Sequence, residues 1–549
     1  MSELISTIHL QRLKQLEDSF GHGEVEVTIP ELAEVLFCST RNVSKIMSKL
    51  QTLDWIHWSA GRGRGNKSHF AILSSFEELL LSKIQSKIRT GSLNDAYQIA
   101  EVFHCQEWFT QNLPKWLETF SENRDNSDDV IFLIPYPLER CHPLDLFDIH
   151  SGLYARVLFD TLVKFDPASR TFQPHLAHQF QTTEFGIAFR IRPNVHFHNG
   201  VLLTPQLVCE HLNRLRNHSP LYQQLLSAVD SFEVNKQWVE MRLNRDDPML
   251  LHLFADIHFA IFLDNDAESG FPIGTGSYSW EQRSESCWTL VKNERYFGLH
   301  GIVRRADFWR VDAKQIHSEQ YIIEYESINT SEALGSNDIQ INGCNAVCFH
   351  QRLSQDIREL LVLIFKAKLR DNGNKPRNFC STLIGYDNAS EFDESESSEP
   401  SLEQLKTLEF STLRYCVDDE AMIQPVLSYL RNAGVRLEPV STFNQADFWI
   451  GDYSFGKDVL LGQYYWLLFS DYAQLILPVM MIQQWLDKLA MNPCLSQLFD
   501  HLERSCIADC RILPLWRKAT RYKCHPSIKG NHPHSYGLMN LADIWLDKR

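Results

Sequence analysis

One short segment of this chain, Phe37–Phe70, has a charge opposite to that of the whole protein. The 549 residues contain 53 Lys plus Arg and 69 Asp plus Glu, which gives a net charge of -16. Within Phe37–Phe70, six basic side chains stand against a single acidic residue, Asp54. Because phosphates are bound by a positive surface, an acidic chain can bind nucleic acid only where its cations are concentrated. Any such surface is therefore expected within this segment.

The spacing of apolar residues predicts two short helices joined by a tight turn. Pro30–Cys38 is amphipathic, and its proline suits the first turn of a helix. Ser39 can cap a second helix, Thr40–Leu50, in which apolar residues recur on one face. These apolar residues are Val43, Ile46, Met47 and Leu50. Phe37 occupies the turn, where glycine is the more common residue.

Two strand-like runs follow, Trp55–Ala60 and Ser68–Leu73, joined by a glycine-rich connection with three cations. This is the layout of a winged helix-turn-helix, whose second helix enters the DNA major groove. Arginine and asparagine suit the edges of guanine and adenine, and the cations of the wing suit phosphates. The predicted DNA-binding residues are Ser39, Thr40, Arg41, Asn42, Ser44, Lys45, Lys49, Arg62, Arg64 and Lys67. The alternative is a helix-turn-helix that contacts a protein partner, with its cations in solvent.

The rest of the chain predicts a multidomain cytoplasmic protein. Residues 76–120 have helical spacing and a polar run follows, so we expect an α+β winged helix at 1–75, a helical connector at 76–127 and a large α/β body at 128–549. The 13 scattered cysteines favour reduced thiols over a disulfide framework. No apolar run reaches about 18 residues, and no secretory signal is visible near Met1. We therefore expect no membrane partner.

Three short motifs in the body carry a family resemblance. They are the turn Phe197-His-Asn-Gly200, the loop Pro272-Ile-Gly-Thr-Gly-Ser-Tyr278 and the segment Asn293-Glu-Arg-Tyr-Phe-Gly298. In this order they resemble the oligopeptide-type solute-binding proteins, family 5. Preceded by a winged helix, the body resembles the sensing part of SgrR-type bacterial transcriptional regulators. The resemblance implies a two-lobed α/β fold like that of periplasmic binding proteins. It also implies a cytoplasmic regulator that senses a sugar, a sugar phosphate or a short peptide.

Solute-binding proteins hold their ligand between two lobes, so both lobes should supply contacts. In the first lobe, Tyr136 and Arg140 follow a predicted strand. In the second, Trp449-Ile-Gly-Asp452-Tyr453 resembles the W-x-x-D-Y segment of oligopeptide binders, which implies that Trp449, Asp452 and Tyr453 contact the ligand. In that family the carboxylate meets the amino terminus of the peptide, so Asp452 would favour an amine, whereas Arg140 would favour an anion. The alternative is a core tryptophan beside a capping aspartate.

No motif predicts catalysis or a cofactor. The chain lacks the G-x-S-x-G, H-E-x-x-H and P-loop signatures. His501, Cys506 and Cys510 could ligate a metal, but buried cysteines on an amphipathic helix explain them as well. We expect a regulator, not an enzyme, that binds double-stranded DNA and a small-molecule ligand. The competing hypothesis is an intracellular solute- or peptide-binding protein whose N-terminal module contacts another protein.

Overall fold

The structure is a computed structural model that describes most of the chain. The described residues are 2–61, 67–89, 92–120, 128–134, 138, 141–146, 149–264, 271–311, 324–329, 338–370, 379–384, 412–417, 420–456, 458–491, 495–523, 528–530 and 540–547. They divide into two compact units. The first unit holds the described residues up to 120 with the short segments 133–134 and 309–311, and the second unit holds the others.

The described part of the first unit consists of helices and one small antiparallel sheet. Its helices are α1 Ser2–Phe20, α2 Ile29–Val35, α3 Thr40–Thr52, α4 Phe76–Arg89, α5 Leu93–Val102 and α6 Gln106–Phe120. Its strands are β1 Val25–Val27, β2 Ile56–Ser59 and β3 Ser68–Ile72, hydrogen-bonded in the order β1-β3-β2. The helix pair followed by a ribbon confirms the predicted winged helix, with strands slightly shorter than the sequence suggested. Residues 62–66, in the connection between β2 and β3, lie outside the described residues.

Local hydrogen bonds explain both ends of α2. Thr28 precedes the helix, and its hydroxyl accepts a hydrogen bond from the backbone N–H of Glu31. The Glu31 carboxylate in turn accepts from the backbone N–H of Thr28, which completes a capping box. After the helix, the backbone N–H of Phe37 donates to the Glu34 carbonyl at 3.1 Å. Phe37 has a φ of 46°, in the left-handed region where glycine is preferred.

α3 is amphipathic, as its sequence predicts, and it continues two residues past the predicted end at Leu50. Its apolar face lies in a core shared with α1, α2 and the sheet. The core side chains of α3 are Val43, Ile46, Met47 and Leu50, and they pack with Leu13, Leu16, Leu32, Leu36, Trp58 and Phe70. Burying each such side chain stabilises the fold by roughly 1.5–3 kcal/mol. Because this face is fixed inward, the opposite face of α3 must point to solvent.

The predicted helical connector is formed by α4, α5 and α6. The buried residues of α4 recur at helical spacing, from Phe76 to Ile88. Within the same unit, an aromatic cluster joins α5 and α6 to Trp309. The ring of Trp309 lies 5.2 Å from that of Tyr97 and 5.5 Å from that of Phe109, and all three side chains are buried. Such tilted and edge-on contacts add to the stability gained from apolar burial.

The second unit has two lobes, and the first lobe is rich in antiparallel strands. Its helices are α7 Ile149–Leu158, α8 Pro205–Arg216, α9 Pro220–Leu225 and α10 Leu250–Ala255. The strands that enter its sheets are β4 Asp129–Ile134, β5 Val163–Asp166, β6 Thr171–Pro174, β7 Ala177–Thr183, β8 Gly186–Ile191, β9 Val229–Asn235, β10 Trp238–Leu243, β11 Tyr278–Arg283, β12 Cys287–Lys292 and β13 Arg305–Arg310. The last two residues of β4 and of β13 are counted with the first unit above. They form sheets in the orders β7-β8-β10-β9, β11-β12-β13-β4 and β5-β6. The hydroxyl of Thr204 accepts a hydrogen bond from the Leu207 N–H at the start of α8.

The second lobe is built on a mixed six-stranded sheet with helices on both faces. Its strands are β14 Glu324–Asn329, β15 Asp338–Phe349, β16 Thr412–Cys416, β17 Arg436–Pro439, β18 Phe448–Asp452 and β19 Ile512–Lys523, in the order β14-β19-β15-β18-β16-β17. Its helices are α11 Gln355–Arg370, α12 Gln424–Asn432, α13 Val459–Phe469, α14 Asp471–Ile476, α15 Val479–Met491 and α16 Leu495–Ala508. Alternate residues of β15 enter two cores, Val347 with residues of α11 and α12, and Cys348 with residues of α13.

The C-terminal segment returns to the first lobe. β20 Ile528–Lys529 pairs with β21 Trp545–Leu546. The short helical turn between them packs closely on Gly301, where an added Cβ would lie 3.0 Å from the Ala542 Cα. Within the described ranges, no helix combines the length and the apolar content needed to cross a membrane.

Candidate nucleic-acid interface and sensing lobes

The solvent face of α3 gathers the DNA-binding residues predicted for this helix and its cap. All of them are exposed: Ser39, Thr40, Arg41, Asn42, Ser44, Lys45 and Lys49. The helix contains no acidic residue. The face therefore combines three cations with short hydroxyl and amide side chains. This is the chemistry with which a recognition helix binds base edges and phosphates in the major groove.

The cations of α3 are not neutralised by protein carboxylates. Among the residues that the structure describes, no ion pair involves Arg41, Lys45 or Lys49. The charge of one of them, Lys49, reaches His9 on α1: burial, and then the charges of Lys49 and of Arg12 on α1, lower the pKa of this imidazole below its ordinary value. The electrostatic field beside α3 is thus positive, which would attract an anionic partner.

The amino-terminal end of α3 is also open to solvent. Ser39 is the N-cap residue of α3, as predicted, but its hydroxyl makes no capping hydrogen bond. The side chain is exposed and its hydroxyl can bond to another group. The backbone N–H groups of a first helical turn, together with the helix dipole, favour an anion such as a phosphate.

The wing is described only in part. Lys67 is exposed just before β3, and its Nζ lies 3.6 Å from a carboxylate oxygen of Glu26 on β1. Both side chains are more than half exposed, so this ion pair is weak, and Lys67 can exchange it for a phosphate. Arg62 and Arg64, the other two predicted wing contacts, lie outside the described residues.

The predicted ligand contacts fall into different environments. Tyr136 and Arg140 lie outside the described residues. Trp449 is fully buried between Phe443 and Tyr472, with ring separations of 6.1 and 5.9 Å. Tyr453 is also buried, and its hydroxyl lies 3.3 Å from the Cys348 sulfur. These two side chains form part of the core, and their roles in ligand binding stay predictions.

Asp452 is the exposed residue of the W-x-x-D-Y run, at the end of β18. Its Oδ1 accepts a 2.8 Å hydrogen bond from the side-chain amide of Asn345, which lies opposite it on β15. Asn345 is only 7% exposed, and its own Oδ1 has no hydrogen-bond partner among the described residues. Sequence reasoning missed Asn345, because the pairing joins positions 107 residues apart.

The loop and segment that carry the family resemblance meet at a buried carboxylate, Asp160. It accepts hydrogen bonds from His175 Nε2 at 2.6 Å, from the Thr275 hydroxyl at 2.9 Å and from the Tyr296 hydroxyl at 3.1 Å. Burial alone would raise the pKa of Asp160, but the hydrogen bonds from His175 and Thr275 bring it below its ordinary value. Thr275 belongs to Pro272–Tyr278 and Tyr296 to Asn293–Gly298, so the carboxylate ties the two motifs together.

The third motif joins the same cluster through backbone contacts. His198, in the Phe197–Gly200 turn, donates from Nε2 to the Gly276 carbonyl at 3.1 Å. An added Cβ at Gly276 would lie 2.2 Å from the Val157 carbonyl oxygen, so this position accepts only glycine. The three motifs therefore hold the first lobe together.

Two family descriptions match the chain. Residues 9–122 match "Sugar transport-related sRNA regulator N-term", which spans the winged helix and the connector. Residues 171–341 match "Bacterial extracellular solute-binding proteins, family 5 Middle". A solved structure with the same fold is the oligopeptide-binding protein AppA from Bacillus subtilis in complex with a nonapeptide. It has a TM-score of 0.59 at 12% identity and covers 76% of this chain and 99% of AppA.

Curated relatives share one or both parts. The uncharacterized protein YhjP of Bacillus subtilis (strain 168) is 31% identical over 296 residues, which is 52% of this chain and 51% of YhjP. The chain thus spans about half the length of that relative. The HTH-type transcriptional regulator SgrR of Yersinia pestis is 24% identical over 476 residues, which is 82% of this chain and 83% of that regulator. The chain has the domain architecture of the SgrR-type regulators, an SgrR N-terminal domain followed by a family 5 solute-binding domain.

Proposed function

We propose that this protein is a cytoplasmic transcriptional regulator that binds double-stranded DNA through its winged helix and senses a small molecule through its two-lobed body. The printed name of the Yersinia pestis relative, an HTH-type transcriptional regulator, supports the assignment. The absence of disulfides among the described cysteines is consistent with a reducing compartment.

The observation that carries the proposal is the exposed face of α3. Arg41, Lys45 and Lys49 point to solvent in a helix without acids, while the opposite face fills the core. In a protein with a net charge of -16, such a surface serves an anionic partner. Arg41 and Asn42, on the first turn, carry the side chains that distinguish guanine and adenine by paired hydrogen bonds.

The ligand is a sugar, a sugar phosphate or a short peptide, and the polar pair in the second lobe favours a compound with an amino group. Asp452 is exposed, and the side-chain amide that donates to its Oδ1 belongs to Asn345, a neutral residue. A carboxylate with this partner suits an ammonium group better than a phosphate. Thermal-shift measurements on the full chain with amino acids, short peptides, sugars and sugar phosphates test this preference. Stabilisation by the phosphates alone would contradict it.

Binding of the full chain to duplex DNA tests the regulatory role. The chain should select a sequence from random duplexes and prefer it to competitor DNA in a mobility-shift assay. Arg41→Ala should weaken the selected sequence by about 1–3 kcal/mol and relax the preference at one base pair. Lys49→Ala should weaken every duplex to a similar degree. A full chain that shows no preference over competitor DNA would favour the competing hypothesis of a helix-turn-helix that contacts a protein.

A further inference from the structure

Phe37, in the turn between α2 and α3, is an exposed aromatic residue without a structural role in the winged helix. Its side chain is 83% exposed. The core of this domain takes in Leu32 and Leu36 on one side of it and Val43 on the other, but not Phe37. Burial of apolar surface therefore does not explain a phenylalanine at this position.

The backbone at this position disfavours any residue with a side chain. The φ of Phe37 is 46°, in the left-handed region. The turn is held by backbone groups alone: the N–H of Phe37 donates to the Glu34 carbonyl, and the N–H of Cys38 donates to the Ala33 carbonyl at 2.9 Å. Glycine would make the same two bonds without the steric cost that a Cβ carries there. A strained residue that the fold does not require is a candidate for a functional contact.

The location of Phe37 relates this contact to DNA. Only Cys38 separates it from Ser39, so its Cα lies within about 8 Å of the start of the recognition helix. The first turn of such a helix meets base edges in the major groove, where successive base pairs are about 3.4 Å apart. The neighbouring side chains Ser39, Thr40 and Arg41 are polar and exposed. An aromatic ring at their border cannot bond to phosphates, and it lacks hydrogen-bonding groups for polar base edges.

The apolar group that the major groove offers is the methyl group of thymine. We propose that Phe37 is a specificity-determining residue that packs against a thymine methyl at the edge of the DNA site, next to the bases contacted by the first turn of α3. This inference rests on the proposed DNA-binding function. It adds apolar readout to the polar contacts of Arg41 and Asn42.

Replacement of thymine by deoxyuridine tests the inference, because it removes only the methyl group. The full chain first selects a duplex from a random library, and each thymine of that duplex is then replaced in turn. At one or two thymines near one edge of the site, the replacement should weaken wild-type binding by about fourfold, the cost of one buried methyl-sized group. Phe37→Ala should bind the thymine and deoxyuridine duplexes equally at those positions.

Two further variants serve as controls for misfolding and for the loss of any exposed apolar side chain. Phe37→Gly should lose the same methyl sensitivity while its melting temperature is unchanged or raised, which separates a lost contact from misfolding. Leu73→Ala removes another exposed apolar side chain of the first unit, 61% exposed and distant in sequence from α3, and should keep the full sensitivity.

The inference is overturned if Phe37→Ala retains the wild-type response at every thymine, or weakens all duplexes equally whatever their methyl content. It is also overturned if Phe37→Ala binds DNA as the wild type does but loses regulation in cells, since the ring would then face a protein. These outcomes leave the proposed function standing. If the wild-type chain selects no sequence at all, the proposed function itself fails, and the inference falls with it.

Discussion

Replacement of Lys45 and Lys49 together by alanine should reduce the salt dependence of DNA binding. Both side chains are exposed on α3, and no described carboxylate pairs with either. Each lysine that contacts a phosphate adds about 0.9 to the slope of log K against log salt concentration, so the double variant should lose about 1.8. Over a fourfold rise in salt, the wild type should therefore lose about twelvefold more affinity than the variant.

A matched control separates local contacts from overall charge. Lys14→Ala combined with Lys87→Ala changes the net charge of the same unit by the same amount. These two lysines lie on α1 and α4, not on α3. Lys14 already pairs with Asp18 at 2.8 Å, and Lys87 pairs with Asp95 at 3.3 Å. Fluorescence anisotropy of the full chain on a labelled duplex, from 50 to 200 mM salt, gives the slopes. Equal slopes for the two double variants would refute the assignment of α3 as the DNA-binding surface.

Three further predictions concern the second unit. His211 is buried, with Nε2 donating to the Ala260 carbonyl; burial first, and then the charge of Arg214, lowers its pKa to about 4. The unfolded chain takes up this proton near pH 6.5, so the free energy of unfolding should fall by roughly 3 kcal/mol from pH 6.5 to pH 4. His211→Gln should remove this part of the decrease in the free energy of unfolding, as measured by urea denaturation at each pH. An unchanged pH profile in this variant would contradict the prediction. Asp160→Ala should destabilise the unit by roughly 3–5 kcal/mol because it strands buried partners, whereas Asp166→Ala, at a half-buried turn position, should leave the calorimetric transition in place. Gly276→Ala should abolish the transition through a clash, whereas Gly152→Ala, which meets no atom within 4 Å, should raise the melting temperature; similar values for the two would refute the packing argument.

The helix-turn-helix could be predicted from sequence because its signals are local. Pro30 marks the start of α2, the apolar spacing of Thr40–Leu50 sets the buried face of α3, and the charge of Phe37–Phe70 marks the surface. Each signal lies in the same short stretch of chain as the element that it predicts. The same local reading identified Phe37 as an unusual turn residue, and its positive φ explains why glycine is expected there.

The sensing lobes could be predicted only as a family likeness, because their contacts are long-range. The motifs around Asp160 were visible, but Thr275 and Tyr296 reach it across 115 and 136 residues, which periodicity cannot show. The run from Trp449 to Tyr453 has the spacing of a ligand site. Packing by Tyr472, on helix α14, nevertheless buries Trp449 of strand β18, while Asp452 stays exposed.

Photo-crosslinking from the exposed face of α3 tests the central claim most directly. The full chain carries p-benzoylphenylalanine in place of Asn42 and is irradiated on its selected duplex. The control carries the same group in place of Ser86, which is exposed on α4. We expect a covalent DNA adduct from position 42 and none from position 86. No adduct from position 42, or an adduct only to protein in cell extract, would contradict a winged helix that reads DNA.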